Sequence, residues 1–394
     1  MEISARIGSR KTLLTILGSA AFMVLLQAYL VAPLVPVLTH DFQSTDAITG
    51  LAVPAYTIPY GLSTLFYGPL SDRLGRKPVL LTLLGLMALS MFLIALSPTI
   101  EIFLLLRVVT GITTGGIVPI SIALFGDIYP FAERGKPLGV LYGAMAGGMT
   151  FGSTLGAYLN PLIGWRSEFV TTGGLCLILF LWAASEHRNF PAKSPAGTTL
   201  KEVFSNAKAL MQRRQSRSLY AYVFLNGVFH SGVFAWLGYF FKLKFNLDDQ
   251  GIGLALLGYG VPGMLLGISI GNAADKYGRQ RLIPIGLALG ALSVCLLAFK
   301  LPLLAAAAAV TVLSLGYDMT QPLFAGMVTS LVDHSKRGQA VGLSACMLFL
   351  GYGTGALVFQ WFMTWGLDMA LIVFAIFEAL LFLFALRLFK FSWS

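Results

Sequence analysis

Long apolar stretches recur along the whole chain, and none alternates with a period of two. A helix needs about 20 apolar residues to cross a bilayer. Twelve stretches reach that length, centred near Met23, Thr57, Met87, Thr113, Gly148, Leu177, Gly232, Leu257, Ala291, Leu315, Gly351 and Ala375. The lack of alternation argues against a β-barrel. The pattern predicts an all-α integral membrane protein with twelve transmembrane helices. The first stretch follows the basic start MEISARIGSRK and ends in PVLTHDF. Its length exceeds the roughly 7–15 apolar residues of a secretion signal, so it reads as a retained membrane helix.

The polar landmarks between these stretches repeat. GPLSDRLGRK, from Gly68 to Lys77, returns as GNAADKYGRQ, from Gly271 to Gln280, an offset of 203 residues. The same offset relates Asp72 to Asp275, Gly75 to Gly278, Arg76 to Arg279, Pro119 to Pro322, Arg134 to Arg337 and Gly135 to Gly338. The chain is therefore expected to hold two copies of one six-helix design. Residues 1–185 form the first bundle, 186–217 a cytoplasmic linker and 218–394 the second bundle. Six is even, so both copies enter the membrane in the same direction and are parallel repeats, as in one large transporter class. The linker contains KEVFSNAKALMQRRQSR, which reads as an amphipathic helix on the membrane surface.

Only 11% of the 394 residues are charged, against about 25% in an ordinary soluble domain. The formal net charge of +10 reports topology. Sorted by connection, 22 of the 27 Lys and Arg fall on the side of the two tails, and only Arg166, Lys242, Lys244 and Lys300 on the other. An excess of Lys and Arg marks the cytoplasmic face. Both termini are thus expected in the cytoplasm, with basic residues near anionic lipid headgroups. Nucleic acid is not an expected partner. Cys176, Cys295 and Cys346 all lie in apolar stretches, without metal-ligand spacing. No nucleotide loop, metal cluster or nucleophile–base set is present, so neither an enzyme nor a cofactor is expected.

Ionisable groups inside a span are costly. Arg107, Asp318 and Glu378 lie within spans, and His230 joins them. Thr311, Ser314, Asp318 and Gln321 are spaced 3, 4 and 3 apart, and Tyr222, Asn226 and His230 are spaced 4 and 4. Each set shares one helix face. Arg107, Thr110 and Thr114 do the same, and Gln27 and Tyr29 add a polar patch to the first span. Polar faces on spans 1, 4, 7 and 10 predict a shared wet cavity, in which buried polar groups meet water and each other.

Two readings stand for each ionisable group. Asp318 is a proton-binding carboxylate, since leaving water disfavours its charge, or a structural acid paired with Tyr or Arg. Arg107 is a counter-charge to Asp318, an anchor for a substrate carboxylate, or a structural donor to backbone carbonyls. His230 relays protons or is a neutral hydrogen-bonding group. Glu378 breaks the 1-4-7-10 pattern and takes part in proton coupling or faces a groove. Tyr56 and Tyr60 share a face and, with Trp236, are candidate cavity walls or packing residues. Gly148, Gly152 and Gly156 recur every four residues and return as Gly351 and Gly355, a spacing that lets helix backbones approach closely.

These residues resemble the major facilitator superfamily over nearly the whole chain, and within it the twelve-helix drug:proton antiporters. Gly68, Asp72, Arg73, Gly75, Arg76 and Lys77 match the family's signature loop between helices 2 and 3, and Gly271, Asp275, Gly278 and Arg279 match its second copy. LLLRVVTG resembles the fourth-helix motif with its buried arginine, here Arg107, although Thr110 stands where the motif has glutamine. In the fifth helix Gly152 precedes Ser153, where antiporters usually carry Gly-Pro. GWRSEF, Gly164 to Phe169, looks like the family's turn before helix 6. The resemblance implies two bundles that rock by alternating access, latched on the cytoplasmic side by the loop residues with Asp127, Arg134 and Arg337. It implies a monomer in a bacterial inner membrane that exports a small amphipathic molecule in exchange for protons. The first span carries Gln27 and no acid, so Asp318 is the expected proton carrier. A proton-coupled importer, and a transport-inactive receptor or scaffold on the same fold, are the alternatives.

Overall fold

A computed structural model describes residues 2–129, 135–186, 190, 200–331 and 337–392. Among the described residues all regular structure is helical. Span 1 comprises Glu2–Tyr29 and Val35–Asp41, span 2 Pro54–Leu74, span 3 Arg76–Ala95, and span 4 Ile100–Thr114 and Ile117–Ile128. Span 5 is Gly135–Tyr158 and span 6 Trp165–Ser185. Span 7 comprises Arg214–Phe234 and Leu237–Phe245, span 8 Asp249–Leu256 and Val261–Tyr277, and span 9 Arg279–Leu297. Span 10 comprises Leu303–Asp318 and Gln321–Ser330, span 11 is Arg337–Met363 and span 12 Leu367–Ser392.

Local chemistry sets these limits. Thr99 accepts from the Ile102 N–H at the start of span 4, and Asp248 accepts from the Gly251 N–H at the start of span 8, satisfying donors that a helix start leaves free. Gly75 and its repeat Gly278 take φ of 102° and 88° at the two signature loops, backbone that side-chain-bearing residues rarely adopt.

Packing follows the repeat. Span 1 lies against span 5, span 3 against span 6 and span 2 against span 4. In the second bundle span 7 lies against span 11, span 9 against span 12 and span 8 against span 10. Gly148, Gly152 and Gly156 meet the carbonyls of Phe22, Leu26 and Leu30 on span 1, while Gly351 and Gly355 meet those of Phe224 and Val228 on span 7. No side chain fits there, so the glycine spacing is a backbone contact in both halves.

Ten of the spans are long and apolar enough to cross a membrane by length and composition alone. Spans 2 and 5 fall short, because Gly, Pro, Ser, Thr and Tyr replace Leu and Ile along them. Their position gives the reason. Span 2 packs on span 11 and span 5 on span 8, so both line the seams between the bundles.

The two seams between bundles are closed at the end away from the basic face. There Asn160 Nδ2 donates to Asp249 Oδ2 at 2.7 Å, Gln360 Nε2 donates to the Ala47 carbonyl at 2.7 Å, and the Tyr29 and Phe234 rings lie 4.8 Å apart. Toward the basic face the span 5–8 seam parts, while on the other seam Thr64 of span 2 still donates to the Gly342 carbonyl of span 11 at 3.4 Å. Thr150 on span 5 meets Gly260 on span 8. Gly139 and Gly143 share the face of Thr150, and Gly267 and Gly271 share the face of Gly260, yet each points into open space. The linker helix Leu200–Gln212 straddles this end. Its Phe204 ring lies 5.9 Å from Phe66 of span 2, and Asn206 donates to Gln339 of span 11 at 2.8 Å.

Candidate functional site

Spans 1, 4, 7 and 10 each break near the middle, and the breaks repeat. The interruption before Val35 in span 1 matches that at Ala235 and Trp236 in span 7; the break at Gly115 and Gly116 in span 4 and that at Met319 and Thr320 in span 10 differ by one residue at the 203-residue offset. Broken helices place half-helix ends inside the membrane, where transporters build binding sites. Asp318 is the last residue before the break in span 10.

Span 8 makes room for it. That span breaks at Gly258–Gly260, where Gly260 has φ 91° and donates its N–H to Ser314 Oγ at 2.8 Å. Gly258 lies against Thr311, Gly260 against Thr150, and the Asp318 carboxylate against Gly263. Spans 5, 8 and 10 meet through these glycines. The Asp318 carboxylate therefore points inward, with Oδ2 buried and lacking a hydrogen-bond partner.

Aromatic hydroxyls surround it. Tyr29, Tyr259 and Tyr317 lie within electrostatic reach of Asp318. The Tyr317 and Tyr352 hydroxyls are 2.5 Å apart. His230 is buried, its ring 5.0 Å from that of Tyr317, and neither ring nitrogen has a partner. Asn226 donates to Gln321 at 3.4 Å and accepts from Thr320 at 3.3 Å. Spans 1, 7, 8, 10 and 11 thus supply one carboxylate in a box of tyrosines. Tyr259, Tyr317 and Tyr352 escaped the sequence argument. Tyr317 is one residue out of phase with the span 10 stripe, and the other two lie on spans 8 and 11, outside the 1-4-7-10 set.

Arg107 belongs to a separate cluster. It is fully buried, donates to Gln27 Oε1 at 3.1 Å and to the Ala52 carbonyl at 3.2 Å, and lies 4.5 Å over the Tyr56 ring. Tyr56 hydrogen-bonds Thr114 at 3.0 Å. No ion pair joins Arg107 to Asp318, which removes the counter-charge reading in this conformation; its Nε and Nη1 bond inside the first bundle, while Nη2 is buried without a partner. Thr110 and Thr114 donate to carbonyls of their own helix at 2.7 Å, which satisfies them without a ligand. Tyr60 packs on Phe349 across the span 2–11 seam, ring centroids 4.1 Å apart. Trp236 is buried against Gly50 and donates to the Ala356 carbonyl.

Glu378 is also fully buried, inside the second bundle beside Gly290 and within electrostatic reach of Tyr222, and neither carboxylate oxygen has a partner. In the signature loop Arg76 bonds Asp127, the Ala123 carbonyl at 2.6 Å and Asp72 at 3.3 Å. These contacts tie spans 2, 3 and 4 of one bundle together. Arg279 lies against Gly326, the counterpart of Ala123 at the same offset. Arg73 is exposed and Gly68 faces open space. Arg134 lies outside the described residues, as do the side chains of Asp275 and Arg337.

The Major Facilitator Superfamily profile matches residues 17–269 and 219–392. The chain belongs to that superfamily, whose members are transporters and not enzymes. It is 28% identical over 346 residues to an uncharacterized MFS-type transporter, YceJ, of Bacillus subtilis, covering 86% of this chain and 85% of that one. It is 23% identical over 341 residues to the quinolone resistance protein NorA of Staphylococcus aureus, covering 86% of each. Among solved structures, a bacterial homolog of the human lysosomal transporter Spinster, in an inward-facing and unoccupied conformation, superposes with a TM-score of 0.81 at 16% identity, over 98% of this chain and 99% of that one.

Proposed function

We propose that this transporter exports a small amphipathic compound in exchange for protons, with Asp318 as the proton carrier. The observation that carries the reading is the inward-pointing Asp318 carboxylate, which has one buried oxygen without a partner. It sits at the C-terminal end of a half-helix, where the helix dipole opposes negative charge. A proton or a cationic group on a substrate relieves that position, and the two compete for it. The tyrosine box offers apolar faces and hydroxyls to an amphipathic guest. The relative named for quinolone resistance supports export of such compounds.

By the Lys and Arg bias the parted end of the seams faces the cytoplasm, and the chain sits in a bacterial inner membrane. The conformation described is then the one that loads substrate for export. Rocking the bundles closes the spans 5 and 8 gap and opens the opposite seam. His230 adjusts the Tyr317–Tyr352 pair, and Glu378 is buried support for the second bundle.

The test is transport in vesicles carrying the purified protein under an imposed pH gradient. Export predicts substrate movement against the proton flow. Movement with the proton flow assigns import, and no flux with any candidate assigns a receptor or scaffold. Asp318→Asn is expected to abolish uphill transport while leaving exchange of bound substrate. Unimpaired uphill transport by that variant removes Asp318 from the mechanism.

A further inference from the structure

Arg73 at the foot of span 2, and Lys201 and Lys208 on the linker helix, are exposed and make no ion pair. The signature loop leaves Arg73 idle, because Arg76 alone holds Asp72 and Asp127. The place of these cations on their helices gives them a common neighbour.

Span 2 is covered on two sides. Toward span 4, the backbone of Tyr56 meets Gly111 and the Ser63 hydroxyl meets Gly115. Toward span 11, Gly61 meets the Cys346 carbonyl and Thr64 donates to that of Gly342. Leu62, Phe66 and Arg73, spaced 4 and 7, share the remaining side, and all three are exposed. Bare leucine and phenylalanine on a spanning helix meet acyl chains. The Phe204 ring lies 5.9 Å from that of Phe66 and is itself 49% exposed, so the linker helix rests on this lipid-facing side. Phe66 lies eight residues before the end of span 2, about 12 Å along its axis. That depth sets the linker helix at the headgroup boundary, where amphipathic helices lie.

The linker helix is turned to match. Val203 and Leu210 are buried, and Asn206 donates to Gln339 of span 11 at 2.8 Å, so these three mark the side toward protein. Lys201, Ser205 and Lys208, spaced 4 and 3, form the opposite ridge, and all are exposed. Lys201 and Lys208 stand three and four residues from Phe204, on the adjoining side of the helix. Glu202, two residues from Phe204, falls on the far side.

We propose that Arg73, Lys201, Ser205 and Lys208 form a site for one anionic phospholipid of the leaflet at the basic face. Its acyl chains lie along Leu62, Phe66 and Phe204. Its phosphate takes the lysine amines, which reach outward on flexible stems, with the Ser205 hydroxyl between them and Arg73 at the foot of span 2. An anionic leaflet draws unpaired cations of this kind. The bound lipid pins the linker helix as a strap over the span 2–11 seam, tied to the first bundle through Phe66 and to the second through Gln339. The inference rests on neither the transported compound nor Asp318.

The test is native mass spectrometry of the full chain carrying a mixture of phosphatidylglycerol and phosphatidylcholine. One phosphatidylglycerol is expected to be retained preferentially. Lys201→Gln with Lys208→Gln is expected to weaken that retention about tenfold or more. Arg213→Gln with Arg214→Gln removes the same charge just beyond the linker helix and is expected to leave retention unchanged. Equal loss in the two double variants assigns diffuse attraction and overturns the site, as does equal retention of the two lipids. A nitroxide at position 204, with Cys176, Cys295 and Cys346 substituted, is expected to relax more with oxygen than with a water-soluble nickel chelate; the reverse puts Phe204 in water and overturns the proposal. Hydrogen exchange across residues 200–212 is expected to be several-fold slower in phosphatidylglycerol than in phosphatidylcholine nanodiscs, and the difference is expected to vanish in the Lys201→Gln, Lys208→Gln variant. An exchange rate indifferent to the lipid overturns the pinning.

Discussion

The Asp318 carboxylate on span 10 rests against the backbone of Gly263 on span 8, with no room between them for a methyl group. Each is informative because of the other. Gly263→Ala forces the carboxylate out of its present seat, and Gly263→Val does so further. Both variants are expected to bind substrate but to lose at least about tenfold in proton-driven transport, equivalent to roughly 1.4 kcal/mol in the coupled step. Flux in vesicles with and without a pH gradient checks this. Equal loss of both fluxes points to a packing defect.

The Tyr317–Tyr352 contact at 2.5 Å holds the half-helix end of span 10 to span 11. Tyr352→Phe leaves the Tyr317 hydroxyl without its partner, at about 0.5–1.5 kcal/mol if no water replaces it. His230, whose ring nitrogens are unpaired and whose ring lies 5.0 Å from that of Tyr317, is a candidate to take over that hydroxyl. The expected result is a several-fold change in apparent substrate affinity that His230→Ala enlarges. A double-mutant cycle on binding measures the coupling; additive effects sink the link.

The buried arginine separates what the sequence allowed from what the fold requires. Arg107 could anchor a substrate carboxylate, yet it is bonded to Gln27 and the Ala52 carbonyl behind Tyr56. Arg107→Ala removes charge-assisted bonds of about 1.5–3 kcal/mol each and is expected to lower the thermal midpoint markedly. Arg107→Lys is expected to recover little, because a single ammonium cannot replace the planar fork. Thermal unfolding in detergent checks both. Unchanged stability with weakened substrate binding restores the anchoring role.

Periodicity and repeat made the helices and the close backbone approach at Gly148, Gly152 and Gly156 legible, because each rests on spacing along one helix. The site was only half legible. Asp318 and His230 stood out as polar groups among apolar ones. Tyr259 and Tyr352 did not, since a tyrosine in a membrane helix is unremarkable until its hydroxyl meets another helix. Of the readings open for Arg107, the bonds to the Ala52 and Gln27 carbonyls match the structural donor.

The repeat yields one more prediction. Gly139 and Gly342 are counterparts at the 203-residue offset, and so are Gly68 and Gly271. All four point into open space on faces that, farther along each helix, form the closed seams. If the bundles rock about their middle, Gly139 on span 5 approaches Gly271 on span 8. Gly139→Leu and Gly271→Leu have space in the present conformation, so folding and substrate binding are expected to persist. Each blocks the approach that closes the basic face, and transport is expected to fall by tenfold or more. Accessibility of a cysteine placed at Leu265 to a membrane-impermeant thiol reagent, compared with and without substrate, reports the trapped state. Normal transport with leucine at both positions rules out this closing contact.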